Sequence, residues 1–241
     1  MKRLYGALAM LLVSAVLLAT SSFAWFSMNT TVSVTGLEIT AKSDSVYLLI
    51  GTGTNDTASE IQAAKTTSVE LVIDNAGITV HPSAHTSTVT NSTSANNPSN
   101  WFYKLADEPD ASESTKEANV LTSENYLDYV IHSVCYITVA KGSNPAANLV
   151  VDEVTVASNG SASGASATFA PVKILVATSY AAAEFSQAVV SSNTVLTDEV
   201  TDDSVVQIDV FIYYDGEDEA VFTNNTANLD GAQISIKFAV D

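Results

Sequence analysis

The chain has 241 residues and carries 27 acidic against nine basic side chains, a formal net charge of -18. So acidic a surface repels phosphate backbones and anionic lipid, which argues against nucleic acid and an anionic membrane surface as partners and leaves cations or salt-screened self-association. One cysteine, Cys135, excludes an intramolecular disulfide framework, so a domain of this size has to be held by its core and by strand pairing.

At the start, Lys2 and Arg3 precede an apolar run from Leu4 to Ala19 interrupted by Gly6 and Ser14, the n- and h-regions of a secretory leader. Ser22 and Ala24 put small residues at the third and first positions before a cut, so residues 1–24 read as a signal peptide removed by a signal peptidase after Ala24. The rival is an uncleaved anchor through residues 4–26, about the length of a bilayer span. Against it, Thr20, Ser21 and Ser22 break the run and no basic stop-transfer cluster follows. In both readings Lys2 and Arg3 hold the N-terminus in the cytoplasm and the rest lies outside. Without the leader, 27 acidic residues face seven lysines and no arginine.

The next segment changes phase. Val32 and Val34 occupy even positions, whereas after Gly36 the apolar residues Leu37, Ile39 and Ala41 occupy odd ones. Alternate strand residues face opposite ways, so the shift implies a bulge, bend or change of sheet at Gly36, which glycine permits. One reading is a bent first strand of the domain at 37–241. The other makes residues 25–36 an assembly strand, with Trp25, Phe26, Val32 and Val34 as its apolar side chains and Gly36 as its hinge. Such a strand would pair with a sheet edge of a second copy, and a head-to-tail contact that does not close makes a filament.

Beyond it the dominant period is two. Strands are predicted at Ser45–Ile50, Ser68–Ile73 and Tyr129–Val139, where Ile131, Cys135, Ile137 and Val139 share a face and Cys135 reads as a small buried hydrophobe. Val150, Val154 and Val156 mark a strand after the turn at Lys141–Pro145; Val172, Ile174 and Val176 mark another. Val206–Tyr214 and Ala232–Val240 alternate most clearly. Helix is predicted for two turns at Ala181–Ala188, one turn at Glu60–Lys65, and one at Ser123–Tyr129 with Ser123 as N-cap. Pro82–Asn100, rich in Ser, Thr and Asn, reads as an exposed, mobile loop with little to bury. Eight to ten strands and no internal repeat predict an all-β fold, a β-sandwich with jelly-roll or Greek-key wiring, short helical insertions and an apolar leader helix. An immunoglobulin-like order stays open.

Two stretches carry a resemblance. Ser22-Phe-Ala-Trp-Phe-Ser-Met-Asn29 followed by Thr31-Val-Ser-Val-Thr-Gly-Leu-Glu-Ile-Thr-Ala41 is similar to the leader region of TasA/camelysin-type exported proteins of Gram-positive bacteria. Phe211-Ile-Tyr-Tyr-Asp-Gly-Glu-Asp-Glu219 and Asn224-Asn-Thr-Ala-Asn-Leu-Asp-Gly-Ala-Gln-Ile-Ser-Ile-Lys-Phe238 resemble a closing hairpin of that group. Together they cover about a quarter of the chain. The resemblance implies a dedicated signal peptidase and a secreted, jelly-roll-like subunit of a biofilm-matrix fibre at the cell surface. It also implies Trp25–Thr35 as donor strand, with Val32 and Val34 filling pockets. The chain departs from better-known members in being Lys-poor and Ser/Thr-rich.

Catalytic patterns are scarce. Some camelysin-type relatives are described as metalloproteases, but His81-Pro-Ser-Ala-His85 has Pro82 where a zinc helix carries its general-base Glu, and His132 is the only other histidine. There is no Gly-x-Ser-x-Gly elbow, and Gly51-Thr-Gly53 lacks the Lys of a phosphate loop. Trp101-Phe102-Tyr103 and Tyr213-Tyr214 suit sugar stacking or core packing. Asp215, Glu217, Asp218 and Glu219, joined by Asp198, Glu199, Asp202 and Asp203, offer oxygen ligands to calcium, the one cofactor the sequence admits; the alternative is a solvated acidic turn. Five Asn-x-Ser/Thr matches, at Asn29, Asn55, Asn91, Asn159 and Asn224, are expected by chance in such a composition. The expectation is therefore a non-enzymatic, exported structural or assembly protein. A surface module for a glycan or protein ligand is the alternative, and a camelysin-like metalloprotease the remotest reading.

Overall fold

A computed structural model describes residues 38–42, 47–53, 56–70, 80–105, 117–157, 172–186, 189–218, 221 and 233–240. The leader at 1–24 with its cut at Ala24, and the segment 25–36 with Trp25, Phe26, Val32, Val34 and Gly36, lie outside them. In chain order the elements are β1 Glu38–Lys42, β2 Leu48–Thr52, α1 Ala58–Ala64, β3 Ser68–Glu70, β4 Ser83–His85, α2 Ser92–Ala95, β5 Trp101–Leu105, β6 Glu117–Val120, β7 Ile131–Val139, β8 Ala146–Ala157, β9 Val172–Ala177, β10 Ala182–Ser186, β11 Thr197–Val200, β12 Val206–Tyr214 and β13 Gln233–Ala239. Short 3-10 turns lie at Pro98–Asn100 and Tyr126–Asp128. The fold is mostly β.

The strands form a first sheet in the order β11-β8-β13-β1-β3, a second in the order β10-β9-β12-β7-β2, and a small third sheet β4-β5-β6. Among the described residues, every strand-to-strand pairing is antiparallel except that of β1 with β13, and one isolated bridge, Ser83 to Asp215, is also parallel. Alternation explains the layering. On the second sheet, Cys135, Ile137, Val139, Val172, Ile174, Val176, Ile208, Val210 and Ile212 share one core with Val151, Val154, Ile234, Ile236 and Phe238 of the first. The intervening residues of β9 and β12 are also apolar: Leu175, Ala177, Phe211 and Tyr213 join Trp101, Leu121, Tyr126 and Val130 in a second core. The second sheet is thus covered on both sides, as six consecutive buried residues of β12 show.

Several expectations hold. β7, β9, β12 and β13 fall where period two put them, and Cys135 is buried. α1 forms at the expected turn, with Thr57 and Glu60 in a capping box and Lys65 closing it in the left-handed region at φ 55.

Three expectations are corrected. In the helix expected at Ala181–Ala188, the described residues 181–186 are not helical: β10 runs antiparallel to β9 because Ala183 and Phe185 enter the main core at strand spacing, overriding the helix propensity of Ala and Glu, while residues 187–188 lie outside the described residues. Pro82–Asn100 is a structured layer rather than a bare loop. It contains β4 and α2, and it buries Ser83, Ala84, Val89 and Ala95. Its Ser, Thr and Asn side chains hydrogen-bond the local backbone: Asn91 Oδ1 accepts from Ser94 N at 2.9 Å, and Asn100 Nδ2 donates to Ser94 O at 2.8 Å. Ser123 is not a helix cap. The turn there starts two residues later, at Asn125, whose Oδ1 accepts from Thr122 N at 2.8 Å before the short 3-10 helix Tyr126–Asp128.

Candidate functional site

The described polar residues concentrate where the third sheet meets the second. On one face of the second sheet, Lys173 of β9 lies opposite Ser186 of β10 and Tyr213 of β12. Its diagonal neighbours on that face are Glu184 and, just past the end of β12, Asp215, within reach of a long side chain. Lys173 Nζ sits 3.3 Å from Glu184 Oε1 and 2.9 Å from Asp215 Oδ2. Asp215 is held in place by a parallel bridge to Ser83 of β4, and Gly216 N donates to Ser83 O at 2.8 Å. A Cβ on Gly216 would meet Ser83 N at 3.2 Å, so the approach of β4 needs this glycine.

β4 brings His85 into the same network. Its Nε2 lies 2.8 Å from Glu184 Oε2 and its Nδ1 lies 3.0 Å from Thr86 O, two acceptors that suit a doubly protonated imidazolium. The ring stands edge-on to Trp101 and Tyr213, with centroids 5.2 and 5.9 Å away. Tyr213 donates its hydroxyl to Glu184 Oε2 at 2.5 Å. Burial disfavours the Glu184 carboxylate, but the His85 and Tyr213 hydrogen bonds and the Lys173 charge outweigh it and bring the pKa down to about 2. His85 is pushed the other way: burial lowers its pKa, yet the Glu184 and Thr86 hydrogen bonds win and raise it. Lys173 is likewise raised, its burial outweighed by Asp215 and Glu184. Burial and the neighbouring Glu184 charge keep the Tyr213 phenol protonated.

A second polar group ties the same layers together. Asp209 of β12, 2% exposed at its side chain, accepts from His132 Nε2 at 2.8 Å, Gln207 Nε2 at 3.1 Å and Asn96 Nδ2 at 3.3 Å. His132 stacks on Phe211 with centroids 4.6 Å apart and an interplanar angle of 6°. Trp101 Nε1 and Tyr126 OH both donate to Ala95 O, at 2.7 and 3.1 Å.

The residues singled out in the sequence are distributed otherwise. Asp215 neutralises Lys173, while Glu217 N caps it by donating to Asp215 Oδ1 at 3.0 Å; Asp218 N donates to the Asp215 carbonyl at 3.1 Å, and Glu219 lies outside the described residues. Asp198 and Glu199 are exposed on β11. Asp202 and Asp203 pair with Lys141 at 3.4 and 2.6 Å. Among the described residues, no three His, Cys, Asp or Glu side chains converge as ligands. His81 and His85 have separate partners, His81 lying against Tyr129 with centroids 5.5 Å apart. Trp101 and Tyr213 are core residues, 0% and 2% exposed. Burial also pushes the Cys135 thiol up, which makes it a poor nucleophile. Lys173 and Glu184 were not singled out by sequence reasoning. The available signal was a lysine breaking the apolar run of β9.

No family model matches the chain, and neither a curated protein nor a solved structure matches it.

Proposed function

We propose that the protein is an exported, non-enzymatic assembly subunit of the cell surface or extracellular matrix, in which residues 25–36 add as a strand to a second copy. The observation that carries this reading is β1. Immediately after the phase change at Gly36, Glu38 pairs on both sides, with Ser235 of β13 and Glu70 of β3, so β1 is an interior strand of its own sheet. Residues 25–36 lie on the other side of that phase change, which suits a separate pairing partner. The domain is a β-sandwich with Greek-key or jelly-roll wiring, a reading supported by a chain that changes sheet at β7–β8, β8–β9, β10–β11, β11–β12 and β12–β13 and by the core the two large sheets share. The polar networks favour a structural role, since they neutralise their own charges.

The test compares a chain starting at Trp25 with one starting at Leu37, by electron microscopy under acidic and calcium-containing conditions. Filaments are expected from the first and monomers from the second; monomers from both would overturn strand donation. A second reading, a binding module for glycan or protein, draws on Tyr180, 62% exposed in the β9–β10 turn. Glycan-array binding by the monomer, lost in Tyr180→Ala, would support it.

A further inference from the structure

The Lys173 site holds the reactants of a condensation. An ammonium nitrogen lies 2.9 Å from one carboxylate oxygen and 3.3 Å from a second carboxylate, and strand register fixes all three side chains on one face. We propose that Lys173 Nζ and Asp215 Cγ join in an intramolecular amide bond that cross-links β9 to the turn after β12, with Glu184 as proton relay. The proposal stands whether or not the chain polymerises.

The chemistry balances without an oxidant or co-reactant. A proton passes along the short contact from Nζ to Asp215 Oδ2, converting ammonium and carboxylate into amine and carboxylic acid. The amine lone pair attacks Cγ while Glu184 Oε1 takes a second proton from Nζ. Glu184 returns that proton to the hydroxyl of the tetrahedral intermediate, the Cγ–Oδ2 bond breaks and water leaves. One ammonium and one carboxylate become one amide and one water. Glu184 ends as the carboxylate it began as.

The surroundings favour this outcome in four ways. Holding amine and acyl carbon together supplies an effective concentration on the order of 10⁵–10⁸ M in well-oriented intramolecular reactions, which offsets the unfavourable condensation in water. The Asp215 side chain is 13% exposed, so little water competes at Cγ. His85 and Tyr213 occupy the other oxygen of Glu184 and hold the side chain in place, so Oε1 stays directed at Lys173 Nζ to relay the proton, though the same hydrogen bonds lower its basicity. The competing ring closure at Asp215-Gly216 is hindered because Gly216 N already donates to Ser83 O. The amine–acid pair has the same proton count as the ammonium–carboxylate pair, so the rate should be flat with pH below the raised Lys173 pKa and fall above it.

The test is tandem mass spectrometry of a tryptic digest of the full chain, aged at mildly acidic and neutral pH. The expected product is one continuous peptide, 142–237, uncut after Lys173, closed into an internal loop between Lys173 and Asp215 and lighter by one water. Lys173→Arg and Asp215→Ala should each abolish it, and Glu184→Gln should slow it while the far-ultraviolet circular dichroism is unchanged. Recovery of Lys173 and Asp215 in separate peptides of the aged wild-type chain would overturn the proposal. So would a water loss confined to the Asp215-Gly216 peptide, the mark of a cyclic imide.

Discussion

Glu184 and His85 hold each other charged, and the consequence is a pH window. Glu184 has a folded pKa of about 2 against an ordinary 4.5, so its contribution is complete above pH 4.5 and is lost as pH falls through about 2. His85 is raised above 6.5, so its contribution is complete below pH 6.5 and is lost as pH rises through the raised value. The pair therefore stabilises most between pH 4.5 and 6.5. Urea denaturation across pH should show the wild type losing stability on both sides of that window. Glu184→Gln should flatten both limbs, and unchanged limbs would show that the pair contributes nothing. Asp209 differs because it is deeply buried and accepts three hydrogen bonds. Replacing it with Ala strands Asn96 and His132, so Asp209→Ala should lose about 1–3 kcal/mol in the same assay.

At the scale of elements, the third sheet and α2 act as a cover over the second face of the second sheet, and Trp101 is their anchor. It is fully buried, its indole N–H reaches Ala95 O, and its ring meets Tyr126, Phe211 and Tyr213. Trp101→Ala should lose about 3–5 kcal/mol, with hydrogen exchange rising first in residues 80–130 and later in β7–β9. Simultaneous loss of protection in both would show that the cover and the two large sheets are one cooperative unit. This layer was the least legible part of the chain. β9, β12 and β13 announce themselves because one face of each alternates strictly, whereas the cover is built by short Asn, Ser and Thr side chains bonding the local backbone, which composition cannot distinguish from a loop. Phe211 and Tyr213 share their strand face with Gln207 and Asp209, so nothing local revealed that it was buried. β10 was hidden for another reason: its residues favour helix, and only pairing with β9 decides otherwise. The Lys173 site was illegible for the same cause, since Glu184 lay in the supposed helix and register alone brings it, Lys173 and Asp215 together.

For the whole molecule, charge decides how the proposed strand-donating assembly should respond to its surroundings. In the chain starting at Trp25, 27 acidic side chains face seven lysines, and among the described residues Lys141, Lys173 and Lys237 are already paired with carboxylates. Copies approaching one another therefore meet a net repulsion of like charges, screened over about 10 Å at 0.1 M salt and about 3 Å at 1 M. Strand addition contributes short-range backbone hydrogen bonds that salt hardly affects, so raising ionic strength removes the opposing term and leaves the attractive one. Light scattering of the chain starting at Trp25 should thus grow faster as sodium chloride rises from low concentration to 1 M, and also as pH falls into the range where its carboxylates are protonated. The chain starting at Leu37 should stay monomeric throughout. If both chains associate alike with salt, the contact is nonspecific salting-out rather than strand donation. If the Trp25 chain assembles best at the lowest ionic strength, opposite charges drive the contact, and the acidic surface would then have to be read as a docking face for cations.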